Sequence, residues 1–144
     1  MYNFAKYVAW PSPLAAAIDD PPFIIGIIGE DPFGHILDDA VAGKTIKGRP
    51  IVIERFQAFH RLRESHVLFI SASMAPELDT IFAHLQDAPI LTVSDMEDFA
   101  ANGGIIQLIM RTRKVRFAVN IDAARHADLH VSSQLLKLAT QVFG

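Results

Sequence analysis

From Lys114 to Asn120 apolar and polar residues alternate, with Val115, Phe117 and Val119 on one face and Lys114, Arg116, Ala118 and Asn120 on the other. A period of two sends successive side chains to opposite sides of a strand. One side is therefore core, and the other meets solvent, a partner or a site. The apolar segment after Gly103-Gly104 precedes this strand across a polar turn at Thr112-Arg113, which predicts a two-strand ribbon. Phe23 to Ile28, His66 to Ile70 and Ile90 to Val93 are short apolar runs of strand length, the first of them central to a sheet. Ile51 to Phe56 is a further strand, with Ile51 and Ile53 alternating against Val52 and Glu54.

Between these runs the spacing becomes helical. Asn3 to Trp10 reads as an amphipathic helix offering Phe4, Tyr7, Val8 and Trp10, stopped by Pro11; Pro11 to Pro22 is a connector holding four of the eight prolines. Asp31 is placed to cap a second helix with Pro32 at its first position, and Phe33, Ile36, Leu37 and Val41 would pack on the sheet before a stop near Gly43. Pro76 opens a third, with Leu78, Ile81, Phe82 and Leu85 on one stripe. Asn120 caps a short helix through Ala127. Ser132 or Ser133 caps a last one through Phe143, apolar on most sides and so largely buried. The order β-α-β-β-α-β, then ribbon and helices, predicts an α/β fold: a mixed sheet of about five to six strands flanked by helices, a Rossmann-like sandwich in one domain over residues 1–144.

Composition narrows the partners. Half the residues are hydrophobic (51%), yet the longest dense apolar run, FIIGII, is strand-sized, which predicts a chain that does not span a membrane. A formal net charge of −3 argues against nucleic acid, since phosphate binding wants a basic surface. With no cysteine there is neither disulfide nor thiolate chemistry. The opening MYNFAKYVAWP lacks the basic and long apolar regions of a signal peptide, so either the protein is cytosolic or a leader has been removed ahead of Met1.

Candidate chemistry gathers where strands end. GIIGEDPFG, Gly26 to Gly34, is a glycine-bearing strand-to-helix turn, the setting where backbone N–H groups cradle phosphate. It matches neither a dinucleotide fingerprint nor a P-loop, and Glu30 and Asp31 put carboxylates where an anion would sit. Alongside Ser71, Ser73 and Ser94-Asp95, it still marks the rim at the carboxyl ends of the strands as the ligand crevice of an open α/β sheet. The residues predicted to line that rim are Gly29, Asp31, Phe33, Ser94, Asp95, Gly103 and Gly104. The six histidines show no metal spacing, and the serines have no nucleophile-elbow context, so neither a metal site nor a catalytic residue is predicted. Arg111 and Arg113 read as charges on a solvated hairpin tip. Arg116, on the polar face of a strand, is predicted to meet a partner, as is Trp10 on the first helix.

Across nearly its whole length the sequence resembles the YfiR/HmsC family of bacterial periplasmic regulators. The matching blocks are KYVAWP (Lys6 to Pro11), FIIGIIGEDPFG, LDDAVAGKTIKGRPIVIERF (Leu37 to Phe56), HVLFIS (His66 to Ser71), LTVSD, FAANGGIIQLI and KVRFAVNIDAARHADLHVSSQLLKLA. The resemblance implies a non-enzymatic, cofactor-free protein of the periplasm, its leader removed. Such a protein binds the sensor region of a membrane diguanylate cyclase and restrains cyclic-di-GMP synthesis, and hence biofilm formation. An outer-membrane lipoprotein relieves that restraint by sequestering the repressor, and the fold is often dimeric. Two departures stand out. Ala118 occupies a place where relatives often carry an acidic residue, which removes a carboxylate partner for Arg116. Ser65 stands where some relatives have cysteine, so redox control through disulfides cannot operate here. The alternative function is a small-molecule binding module using the strand-end rim.

Overall fold

The computed structural model describes residues 2–10, 22–31, 33–46, 48–86, 88–111 and 114–143. The chain opens with α1 (Tyr2–Lys6) and β1 (Val8–Ala9), then β2 (Phe23–Ile28), α2 (His35–Val41), β3 (Thr45–Ile46) and β4 (Arg49–Phe56). A 3-10 turn over Phe59–Glu64 leads to β5 (Val67–Ile70), and another over Ala72–Glu77 runs into α3 (Leu78–Leu85). There follow β6 (Leu91–Ser94), β7 (Ile106–Arg111), β8 (Lys114–Asn120), α4 (Ile121–His126), β9 (His130–Val131), α5 (Ser133–Leu138) and β10 (Gln141–Phe143).

The main sheet has eight strands in the order β10-β8-β7-β6-β5-β2-β4-β3. Strands β4, β2, β5, β6 and β7 run parallel, β8 returns antiparallel to β7, and β10 lies parallel to β8. The expected α/β class with a mixed, helix-flanked sheet is what forms. Period two separates the residues of the central strands into two buried clusters. Phe23, Ile25, Ile27, Val67, Phe69, Leu91 and Val93 share one with residues of α1, α2 and α5; Ile28, Leu68, Ile70 and Ile90 share the other with Leu78, Ile81 and Leu85 of α3. Strands covered on both faces are uniformly apolar, which is why FIIGII and VLFI show no polar alternation.

Several local expectations are corrected. The sheet has eight strands rather than five to six, because a short segment is added at each end: β3 by a tight hairpin onto β4, and β10 by pairing with the distant β8. The first helix stops at Lys6, and Val8–Ala9 becomes a strand paired with β9 (Val8 opposite Val131), where the Ser132 N–H also donates to the Tyr7 carbonyl. The last helix stops at Leu138, and Gln141–Phe143 pairs with β8. Leu138 (69% exposed) and Val142 (45%) therefore face outward, so this end is not the largely buried helix expected. Ile36 is 71% exposed, so α2 packs through Leu37 and Val41 only. Asp31 does not cap α2, whose N-cap is Gly34; its Oδ1 instead accepts from the Phe33 N–H at 2.8 Å. Pro76 lies inside the 3-10 turn, ahead of α3. Ala118, placed by alternation on a polar face, is buried, because β8 is interior to the sheet. The Thr112-Arg113 turn lies outside the described residues.

Candidate functional site

The order of connections reverses between β2 and β5: the chain passes from β2 to β4 on one side, then returns to β5 on the other. In open α/β sheets such a switch point leaves a crevice beyond the carboxyl ends of the strands. Here Ser71, Ser73 and Met74 press against the end of β2. Gly29 (φ 92°) ends β2, and a Cβ there would lie 2.6 Å from Met74, 2.7 Å from Ser73 Oγ and 2.8 Å from Ser71 Cβ. The Glu30 N–H donates to Ser73 Oγ (3.0 Å), and the Ser71 and Ser73 hydroxyls bond each other at 3.1 Å.

The other rim residues are likewise engaged. Arg55 on β4 gathers Asp31 (2.7 Å), Asp38 of α2 (2.8 Å) and the Gly34 carbonyl (2.9 Å). Burial raises the Asp31 pKa, but the Arg55 hydrogen bond and charge outweigh it and hold the carboxyl below the usual range. Phe33 stands edge-on to Phe69, with centroids 4.9 Å apart. Ser94 is fully buried and accepts from the Met96 N–H at 3.0 Å, while Asp95 beside it is exposed. Gly104 is buried, and a Cβ on it would sit 2.1 Å from the Phe99 ring. Gly29, Asp31 and Phe33 thus adjoin one another, but Ser94 lies two strands away. Of the two partner-facing candidates, Arg116 is exposed, with no ion pair among the described residues. Trp10 is half-buried, edge-on to Phe23 at 5.2 Å.

A cleft of about 460 Å³ lies between α3 and α4. Phe82, Leu85 and Gln86 form one wall, at the i, i+3, i+4 spacing of a single helix face. Ile90, Thr92 and Ile105 line its base, and Ala123, His126 and Ala127, at the same spacing, form the facing wall. The small alanines opposite Phe82 and Leu85 leave the gap. Gly103 (φ 112°) borders it, the one predicted rim residue that does. Asn120 ties the cleft together: its Oδ1 caps α4 by accepting from the Ala123 N–H (3.0 Å), and its Nδ2 donates to the Ala100 carbonyl (2.7 Å). Thr92 Oγ1 accepts from the Ile105 N–H at 2.9 Å. The sequence pattern pointed to Asn120 only as a cap. The alanine spacing on α4 was the remaining signal, and it acquires meaning only once α3 lies opposite. Among the described residues no group of three or more His, Cys, Asp or Glu could hold a metal ion, and no helix is long and apolar enough to cross a membrane.

Comparison with solved structures shows a shared fold. A conserved domain protein from Vibrio cholerae O1 biovar El Tor superposes with a TM-score of 0.61 at 13% identity, over 83% of this chain and 54% of that one. An ABC domain from Streptococcus pneumonia in complex with L-Trp gives a TM-score of 0.60 at 11% identity, over 84% of this chain and 55% of that one. The chain thus spans about half the length of either. No curated protein matches it. The family model DUF4154, YfiR/HmsC-like, matches residues 1–140, and the chain belongs to that family.

Proposed function

We propose that this protein is a non-enzymatic periplasmic regulator that binds the sensor region of a membrane diguanylate cyclase and restrains cyclic-di-GMP synthesis. The observation that carries the reading is the family match over residues 1–140, because the YfiR/HmsC-like family is regulatory and non-catalytic. Exposed Arg116, near the end of the sheet where Leu138 and Val142 stand out to solvent, supplies a cation beside apolar surface for the partner. Release by an outer-membrane lipoprotein belongs to the same reading.

The test is co-expression with the membrane diguanylate cyclases of the source organism, one at a time. Cellular cyclic-di-GMP falls when the protein is present and rises when the gene is deleted, and Arg116→Glu weakens the restraint without lowering protein abundance. Nucleotide levels indifferent to both the protein and its deletion would rule the reading out.

A further inference from the structure

The cleft between α3 and α4 has no part in that regulatory reading, and its chemistry selects a ligand of its own. We propose that it binds a small lipophilic cation, a flat apolar body carrying an amine head. A volume of about 460 Å³ lies within the roughly 300–1,000 Å³ of small-molecule sites. The apolar body lies between Phe82 and Leu85 on one wall and Ala123 and Ala127 on the other, over Ile90 and Ile105.

The polar groups favour a cation. Asp122 lines the cleft with its side chain 60% exposed, and Arg125, its ion-pair partner on the same helix, stands 3.6 Å away and is itself 72% exposed, too loose and solvated a pair to occupy the carboxylate. His126 Nδ1 lies 2.7 Å from the Asp122 carbonyl oxygen. A carbonyl only accepts, so this contact assigns the proton of the neutral ring to Nδ1 and leaves the Nε2 lone pair as an acceptor. The Asn120 amide is held by Ala100 and Ala123. Among the described residues, none lining the cleft is Lys or Arg. A carboxylate and an imidazole lone pair thus meet an incoming ammonium, whereas an anion would meet repulsion.

The experiment titrates the purified protein with naphthylmethylamine at neutral pH, alongside naphthylmethanol and naphthylacetate, by calorimetry. Saturable one-to-one binding is expected, strongest for the amine and weakest for the acid. Asp122→Asn weakens the amine about fivefold, the effect of one solvated charge pair near 4 Å, and leaves the alcohol unchanged. Ala127→Trp fills the cleft and abolishes both, with Ala123→Leu as a second filler should the first fail to fold by circular dichroism. Absent amine binding, equal affinity for amine and acid, or binding that survives a folded filler variant would each overturn the proposal. Because the assay uses the protein alone, its failure leaves the cyclase reading untouched, and the converse holds.

Discussion

His66 makes the fold sensitive to mild acid, and the effect can be sized from its surroundings. The ring lies just ahead of β5, stacked on Phe23 with centroids 4.9 Å apart and planes 18° from parallel. Its Nδ1 accepts from the Ile24 N–H at 2.9 Å, so the neutral ring carries its proton on Nε2. Protonating Nδ1 would set one donor against another. Burial, helped by the charge of buried Arg49, lowers the pKa from 6.5 to about 4. The unfolded chain then binds more protons than the folded one between those two values. Stability is therefore full above pH 6.5 and is lost as pH falls toward 4. At about 1.4 kcal/mol per unit, discounted for partial solvent access, the loss is about 2–3 kcal/mol. Urea unfolding at a series of pH values from 7.5 to 4 measures it. His66→Asn keeps an acceptor near the Ile24 N–H but cannot be protonated, so its stability should be lower at pH 7.5 yet nearly flat across the window. If wild type and His66→Asn decline in parallel, the acid sensitivity originates elsewhere and the assignment fails. Arg49→Met should raise the His66 pKa, read by the imidazole proton shift in NMR.

Other substitutions test separate contacts. Gly104→Ala forces a methyl into the Phe99 ring, which is itself fully buried, and should cost about 1–3 kcal/mol in chemical denaturation; a neutral result would mean that Phe99 shifts freely. Asn120→Ala removes the α4 cap and the bond to the Ala100 carbonyl, a loss of about 1–2 kcal/mol, and Asn120→Asp should recover the cap share only. Ser65→Ala should stabilise by about 1 kcal/mol, because its buried hydroxyl has no hydrogen-bond partner among the described residues; a loss of stability would reveal a partner for it. Asp31 and Asp38, both held below the ordinary carboxylate range, contribute above about pH 4 and lose that contribution as pH falls further. Arg55→Met should return both titrations, followed by carboxyl carbon NMR, to ordinary values; unmoved carboxyls would show that Arg55 does not set them.

Elements whose reason is local could be read along the chain. FIIGII, VLFI and the Ile90–Val93 run are apolar enough to be strands wherever they are placed, and Leu78, Ile81 and Leu85 mark one helix face without reference to anything else. Caps are local too: Asn120 and Ser132 each accept from a backbone N–H two or three residues on. The α/β class follows from these alone.

What depended on distant residues could not be read that way. Val8–Ala9 and Gln141–Phe143 are too short to declare themselves strands, and each exists because a partner more than twenty residues away offers its backbone in register. The strand-end rim was proposed because Gly29, Asp31 and Ser94 are residue types that line crevices. Which residues crowd that edge (Ser71, Ser73, Met74 and Arg55) and the cleft where alanines of α4 face phenylalanine and leucine of α3 were decided by tertiary packing. Periodicity reports which face of an element is apolar, a property of neighbouring residues. Whether two such faces close or leave a gap is set by side-chain volumes meeting across elements far apart in the chain, and only the assembled fold supplies that geometry.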